Sequence, residues 1–241
     1  MNLKDLAETF SWLTQENRPI RLRLSREKEG FCDVLLVKRI SGIETLCGSL
    51  EYRLLCVSVR ADLPLKEFIA LPVELQFVTD QGNMRSVCGI VAQASAGQSD
   101  GGLATYQLVL RDALALMEHR NNTRIFRDRN EIEITKLILD EWRRNNPILA
   151  NSFEVDWSRV TSTYPARSCT MQHNESDASF MRRLWKRRGI AWFMQAGRAN
   201  GVVPPEAPAH TLVLFDDVFA LSQNAAGEVR YHRDGSTEQS D

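Results

Sequence analysis

Several features that would place this chain in a common class are missing from its sequence. No run approaches the roughly 20 uninterrupted apolar residues of a membrane-spanning helix. The first residues carry Lys4, Asp5 and Glu8, so a signal peptide with an apolar core is not expected. The 30 Lys and Arg residues nearly balance the 31 Asp and Glu residues, which argues against a nucleic-acid partner. We therefore expect a chain that folds in the cytoplasm, without stable membrane insertion.

Cysteine is scarce and scattered. The five cysteines are odd in number and form no C-x-x-C pair, so neither a disulfide framework nor a zinc cage is predicted. The sequence also contains no glycine-rich phosphate loop and no zinc-protease helix motif. Most of the cysteines lie in apolar, strand-like runs, which favours free buried thiols; they are Cys32, Cys47, Cys56, Cys88 and Cys169.

The first half of the chain has the alternating pattern of β-strands. Residues 1–19 form a leader whose apolar residues, from Leu3 to Leu13, have the spacing of a short helix. From Ile20 the period changes to two, and further strands are predicted at 33–40, 50–59, 73–79, 85–92 and 104–111. Residues 80–83 predict a tight hairpin, and residues 95–102 predict a long connection. This pattern predicts a closed or nearly closed antiparallel β-barrel over residues 20–116.

Residues 117–221 predict an insert of helices and strands, which makes the whole chain α+β. Asn130 and Glu133 have the spacing of a capping box, and Asn145-Asn146-Pro147 predicts the end of that helix. Its apolar stripe is predicted to contain Ile134, Leu137, Ile138 and Trp142. Residues 198–208 predict a loop before a strand at 211–215. Residues 222–241 form a polar tail, which we expect to be partly disordered or a truncated end.

The stretch from Tyr164 to Phe193 carries the densest local signals. Proline at 165 favours extended backbone at residue 164, and Arg167, Cys169, Met171 and His173 then share one face of a strand. Asn174 is the predicted N-cap of the following helix, and Glu175 and Asp177 place negative charge in its first turn. The buried stripe of this helix is Phe180, Met181, Leu184 and Trp185, and Gly189 is its predicted left-handed cap.

One group in this stretch invites a catalytic interpretation. Cys169, His173, Glu175 and Asp177 supply a thiol, a base and two acids. Residues four apart on a strand are separated by roughly 13 Å, so the thiol and the imidazole cannot share a hydrogen bond. The basic run 182–188 is expected to be a solvated helix face, with Arg183 paired to Asp177 or Glu175. His210 is expected to be structural or solvent-facing. We expect no catalytic, cofactor-binding or metal-binding residue, no cofactor, and no enzyme activity.

Several of these residues together resemble a known family. The matching positions in the central stretch are Tyr164, Pro165, Arg167, Gln172, Glu175, Ser176, Asp177, Phe180, Arg183, Leu184, Gly189 and Ile190. Upstream they are Arg120, Arg124, Ile125, Phe126 and Ile134, and downstream residues 210–214. This set resembles the VgrG spike proteins of type VI secretion, also called the Rhs-element Vgr family. Asp112-Ala113 and Lys186-Arg187-Arg188 depart from the family pattern, and we expect both departures to be surface or edge variation.

The resemblance implies a phage tail hub-like base with a mechanical role. In that family three chains, each with two related barrels, present a pseudo-sixfold ring to the hexameric Hcp tube, a form of symmetry matching. The implied partners are a homotrimer in the full-length protein, the tube, baseplate proteins and effectors. The implied localisation is assembly in the cytoplasm followed by secretion or injection. This chain would hold the first barrel and the insert, so we expect it to be a monomer or weak oligomer alone. The alternatives are a contractile phage tail hub and a cell-wall-degrading enzyme.

Overall fold

The computed structural model describes residues 18–24, 35–79, 82–99, 102–198 and 208–222. The predicted leader helix and the tail from residue 223 lie outside these ranges, as does most of the predicted loop at 198–208. Among the described residues, no helix has both the length and the apolar content to cross a membrane.

Six antiparallel strands form one curled sheet. They are β1 (Ile20–Leu24), β2 (Leu36–Glu44), β3 (Leu50–Ser58), β4 (Pro72–Val78), β5 (Met84–Ser99) and β6 (Ala104–Arg111), in the order β1-β4-β5-β6-β3-β2. Alternate residues point inward, as in Leu54 and Leu108, and they form one apolar cluster inside the curl. The guanidinium of Arg18, next to β1, donates to the carbonyl of Val37 in β2 at 3.3 Å, so the two edges approach. The predicted α+β fold with an antiparallel barrel-like sheet is confirmed, and this sheet is a curled half-barrel in which the described parts of β1 and β2 are not paired.

The connections of this sheet follow the predictions in one place and differ in another. Where β4 leads to β5, Gly82 has a φ of 79° and the amide of Thr79 donates to the carbonyl of Asn83 at 2.8 Å, as in the predicted hairpin, whose residues 80 and 81 lie outside the described residues. The long connection predicted at 95–102 is wrong, because β5 continues to Ser99 and pairs with β6. Pairing through backbone groups requires no apolar side chains, and this part of β5 consists of small and polar residues.

The free cysteines among the described residues include both buried and exposed thiols. Cys56 and Cys88 are buried in or beside the half-barrel, and burial raises the pKa of Cys56 to about 12 and that of Cys88 to about 11. Both thiols are therefore inert as nucleophiles at neutral pH. Cys169 is exposed, so the expectation of burial is wrong there. Cys47 is half-buried, and Cys32 lies outside the described residues.

The remaining elements surround a second apolar cluster. The helices are α1 (Leu65–Phe68), α2 (Ala113–Met117), α3 (Glu131–Asn145), α4 (Pro147–Ser152) and α5 (Asp177–Arg188), with a 3-10 turn at Val218–Ala220. A three-stranded sheet has the order β10 (Ala191–Ala196), β11 (His210–Phe215) and β8 (Phe153–Arg159), and β11 is parallel to β8. A separate two-stranded ribbon pairs β7 (Asn121–Phe126) with β9 (Thr170–Ser176). The second cluster contains residues of α2 to α5 and of this three-stranded sheet.

Helix α3 forms largely as predicted. The Asn130 side chain accepts from the amide of Glu133, whose carboxylate accepts from the amide of Asn130, both at 2.9 Å. This reciprocal capping box is confirmed. The predicted apolar stripe is buried at Ile134, Ile138 and Trp142, whereas Leu137 is 40% exposed. The helix ends before Pro147, which begins α4 at a position where a missing amide hydrogen costs no hydrogen bond.

Helix α5 has its predicted stripe but a different start. Phe180, Met181, Leu184 and Trp185 are fully buried, and Gly189 closes the helix at a φ of 71°. The predicted N-cap Asn174 is wrong, because β9 extends to Ser176 by pairing with β7. The cap is the Ser176 hydroxyl, which accepts from the amide of Ser179 at 3.2 Å.

Asp112 and Ala113 depart from the family pattern, and we expected this departure to be surface or edge variation. That expectation is wrong, because both residues are fully buried. One Asp112 oxygen accepts from the amide of Leu50 at 2.8 Å, and the other accepts from the amide of Ala115 at 3.1 Å. The amide of Ala113 donates to Nε2 of His210 at 3.0 Å. These bonds connect the half-barrel, helix α2 and strand β11. Burial raises the pKa of Asp112, and the amide donors oppose that rise.

The turn between β2 and β3 makes a second connection. The amide of Cys47 donates to the carbonyl of Trp192 at 2.8 Å, and the Trp192 indole donates back to the carbonyl of Gly48 at 3.2 Å. The predicted division of the chain at residue 116 stays a prediction.

Candidate functional site

The polar residues of the central stretch converge on one buried carboxylate, that of Asp177. This side chain is fully buried at the start of α5 and accepts hydrogen bonds from five groups. The donors are Arg120 Nε at 2.7 Å, Trp142 Nε1 at 2.8 Å, Asn122 Nδ2 at 2.9 Å, Gln172 Nε2 at 2.8 Å and Arg124 Nη2 at 2.5 Å. They come from β7, β9, α3 and the segment just before β7, so the carboxylate connects α5 to three other elements.

A second acid balances the charge of this cluster. Glu141 on α3 pairs with Arg120 and with Arg124, each at 2.8 Å, so two arginines face two carboxylates. The guanidinium of Arg120 also lies 4.4 Å above the Trp142 ring. Burial alone would raise the pKa of Asp177, but the hydrogen bonds outweigh it and hold that pKa below its ordinary value. An ionised carboxylate with five donors has no capacity left for proton transfer, so this cluster is suited to holding the fold.

A second buried acid is Glu131, the first residue of α3, which lies close to two arginines. Its carboxylate is fully buried and lies 3.2 Å from Nε of Arg167 and 2.8 Å from Nε of Arg188. The guanidinium of Arg188 lies 5.9 Å from the centre of the Tyr164 ring. The chain segment with Tyr164 and Arg167 is thus fastened to both α3 and α5.

Asp216 anchors the other side of Tyr164. Its carboxylate accepts from the Tyr164 hydroxyl at 2.9 Å and from the amides of Thr161 and Ser162 at 3.0 and 2.8 Å. Burial opposes ionisation, but these donors outweigh it and lower the pKa of Asp216. The contact fastens the loop after β8 to the residue after β11.

The four residues considered for catalysis are not brought together as a reactive group. Cys169 and His173 are both exposed, whereas Asp177 is enclosed in its cluster. Glu175 lies on β9 and pairs with Arg183 at 2.5 Å. Asp177 does begin the helix as predicted, but most of its hydrogen bonds come from side chains far away in the sequence.

Sequence reasoning missed the partners of the two buried acids. Arg120, Arg124 and Gln172 appeared only as matches to the family pattern, and that pattern was the signal that could have identified them. Glu131 and Glu141 gave no signal, because acids on a helix are usually solvated.

The basic run 182–188 is less solvated than predicted. Arg182 pairs with Glu118 at 2.5 Å, and Arg188 pairs with Glu131. Arg183 pairs with Glu175, which is one of its two predicted partners. Lys186 and Arg187 are exposed. Three of the five cations are therefore engaged in ion pairs within the chain, which leaves no continuous phosphate-binding row.

His210 is structural, and the solvent-facing alternative is wrong. Its side chain is buried, lies 5.4 Å from the Phe153 ring and accepts from the amide of Ala113. Burial lowers the pKa of His210 to about 4, so the imidazole is neutral at pH 7. Among the described residues no group of three His, Cys, Asp or Glu side chains is arranged to hold a metal ion.

A shallow cleft lies between the β2–β3 turn and β10. Leu46, Phe193 and Met194 line it together with other residues of the turn. Glu44 also lines it, and this carboxylate accepts from Tyr52 and Arg85, both at 2.5 Å. The cleft therefore presents no convergent acid and base.

Two solved structures share the fold of this chain. An E. coli protein, described as a component of the type VI secretion system with structural similarity to T4 bacteriophage tail proteins gp27 and gp5, superposes with a TM-score of 0.66. The alignment covers 84% of this chain and 51% of that one at 19% sequence identity. A 43 kDa tail protein of prophage MuSo2 from Shewanella oneidensis superposes with a TM-score of 0.51 over 82% of this chain and 52% of that one, at 14% identity. At these identities the likeness shows the fold alone, one shared with a type VI secretion component and a phage tail protein.

The sequence comparisons identify the family. Residues 43–241 match the phage tail baseplate hub (GPD) family, and the chain belongs to it. Type VI secretion system spike protein VgrG4b of Pseudomonas aeruginosa is 33% identical over 189 residues, which are 78% of this chain and 21% of the relative. VgrG1b of the same organism is 29% identical over 205 residues, which are 85% of this chain and 25% of the relative. The predicted resemblance to VgrG spike proteins is confirmed, and the chain spans about a quarter or less of these relatives.

Proposed function

We propose that this chain is a non-catalytic base segment of a type VI secretion spike that trimerises in the full-length protein and docks on an Hcp-like tube hexamer. The observation that carries the proposal is the match of residues 43–241 to the tail hub family, together with the hub-like fold. We further propose the predicted division, with a barrel over 20–116 and an insert over 117–221. Baseplate proteins and effectors are the other proposed partners, and assembly in the cytoplasm precedes secretion or injection.

The arrangement of polar groups supports a mechanical role. Asp177, Glu131 and Asp216 each join elements that are distant in the sequence. Such cross-connections resist displacement of one element against another, because moving an element would leave a buried charge without its partner.

An enzyme is the less favoured alternative. One relative bears the name Actin cross-linking toxin VgrG1, from Vibrio cholerae, and is 27% identical over 212 residues. This chain covers only 18% of that protein, so its printed activity is not carried over to these residues. The shallow cleft and the exposed, separated Cys169 and His173 also favour a non-catalytic role.

A contractile phage tail hub is the second candidate. The family match and the prophage tail protein with the same fold support it as well as they support a secretion spike. Because both machines use this fold, the discriminating observation is which genes surround the coding sequence.

The decisive experiment is light scattering on this chain and on the product of the complete gene that contains it, with and without a tube hexamer. We expect this chain alone to be a monomer or weak oligomer, and the complete product to be a trimer that captures the hexamer. A stable trimer of this chain at micromolar concentration would refute the first expectation. Failure of both proteins to bind the hexamer would favour the phage hub.

A further inference from the structure

The β7–β9 ribbon has two faces of different character. On its inner face Asn122, Arg124 and Gln172 contact Asp177. On its outer face Ile125 and Met171 lie directly opposite each other in the strand register. Ile125 is 56% exposed and Met171 is 45% exposed, although strand pairs of this kind usually pack against another layer.

Arginines follow this exposed pair along the strand ladder, and another contacts it from α5. Beyond the ribbon the ladder continues in the same register through a bridge between Arg129 and Arg167, with backbone hydrogen bonds of 3.3 and 3.1 Å. Arg127, two residues from Ile125, is exposed. On the other side a guanidinium nitrogen of Arg183 donates to the carbonyl of Met171 at 3.0 Å. The aliphatic pair therefore has a basic rim.

Some arginines of this rim are held in ion pairs and others are not. Arg167 and Arg183 pair with Glu131 and Glu175, which fix their positions. Within the described ranges the side chains of Arg127 and Arg129 form no ion pair, and Asp128 between them offsets only one of their charges. The surrounding region is basic as well, since residues 117–198 contain fifteen Lys and Arg against ten Asp and Glu, in a chain that is otherwise acidic.

We propose that the outer face of the β7–β9 ribbon, defined by Ile125, Met171, Arg127 and Arg129, docks an acidic segment of a partner protein through an apolar side chain flanked by carboxylates. An apolar centre with an arginine rim is the usual anatomy of a protein interface. The central side chains are aliphatic, so the face lacks the aromatic platform on which nucleic-acid bases stack. The inference rests on the proposed function, because it assigns a chemistry to one protein partner of a spike base.

The test measures binding of the intact chain to a short fluorescein-labelled peptide with leucines flanked by glutamates, by fluorescence anisotropy at low and high salt. One variant carries Ile125→Ser and Met171→Ser, and a second carries Arg127→Ser and Arg129→Ser. The matched control carries Arg143→Ser and Arg144→Ser, which removes the same charge at the opposite end of α3, about 20 Å away along the helix. All of these side chains are exposed or half-buried, and thermal melting verifies that each variant folds.

We expect the wild-type chain to bind the glutamate peptide and to ignore a version with lysines. Each variant on the ribbon should weaken binding about tenfold, as loss of an interface anchor usually does, while the control changes it less than about twofold. The Arg127 and Arg129 variant should also lose most of the salt dependence. Equal binding of the lysine peptide, equal loss in the control, or equally effective competition by duplex DNA would overturn the inference.

Light scattering with the tube hexamer separates this inference from the proposed function. If the complete gene product captures the hexamer but the chain ignores the glutamate peptide, only the docking surface is wrong. If the peptide binds as expected but no hexamer is captured, only the proposed function is wrong.

Discussion

Replacing Asp177 with asparagine tests whether the buried carboxylate holds the insert together. The substitution preserves shape but removes the charge, and it directs an amide group at donors such as Arg124 and Trp142. Removing one partner of a buried ion pair costs about 3 to 5 kcal/mol, because the remaining charge is left without compensation. Arg120 and Arg124 are 31% and 24% exposed, so water recovers part of this loss and the lower end of the range is expected.

The assay is thermal unfolding followed by near-ultraviolet circular dichroism, with Trp142 and Trp185 as buried reporters. For a chain of this size about 3 kcal/mol corresponds to a lower melting temperature by roughly 10 °C. The control is Glu175→Gln, which removes an acid two residues away whose partner Arg183 is 46% exposed. A surface pair of this kind is worth less than about 1 kcal/mol. A melting temperature of Asp177→Asn within 2 °C of that of the control would correspond to a loss of less than about 1 kcal/mol in the free energy of unfolding. In that case the carboxylate does not hold α5 to β7, β9 and α3.

Three further predictions concern other buried or strained positions. The pKa of His210 in the folded protein is lowered to about 4 from an ordinary value of about 6.5, so the free energy of unfolding should be highest above about pH 6.5 and fall by about 3 kcal/mol toward pH 4. Urea unfolding across that range should show this pH dependence, and His210→Gln should remove most of it. An unchanged pH dependence in the variant would mean that other groups cause it. Asp112→Ala leaves the buried amide of Leu50 without its acceptor and should cost about 2 kcal/mol in urea unfolding at pH 7; a cost below about 0.5 kcal/mol would mean that the half-barrel and α2 are joined by packing alone. Gly189→Ala meets no atom within 4 Å but has a φ of 71°, so it should cost about 1 kcal/mol from backbone strain; a gain in the melting temperature would contradict this.

Local signals in the sequence predicted the ends of elements best. The capping box of Asn130 and Glu133 and the cap at Gly189 depend on contacts within a few residues, and both were found. The start of α5 was missed because the position of Ser176 is decided by pairing with β7, about 55 residues earlier. Propensity at Asn174 could not reveal that pairing.

The interior of the candidate site was predicted less well for the same reason. Asn122 and Arg124 reach Asp177 across separations of 55 and 53 residues. Alternation along β7 gave no indication of which polar side chains face inward, because polar residues occur on both faces of the ribbon. The burial of Asp112 was likewise invisible, since an acid after a strand is usually on the surface.

The position of β11 has a consequence for the order in which the chain can fold during synthesis. This strand lies between β10 and β8, so the last described strand to leave the ribosome is the middle strand of its sheet. Until residue 215 has emerged, β8 and β10 have no partner in that sheet, and Ala113 lacks the imidazole acceptor of His210. The half-barrel can fold while translation continues, whereas the second apolar cluster cannot form completely until β11 has been synthesised. Nascent chains that stall before β11 would expose strand edges, which makes this interval the one in which the protein is most open to aggregation.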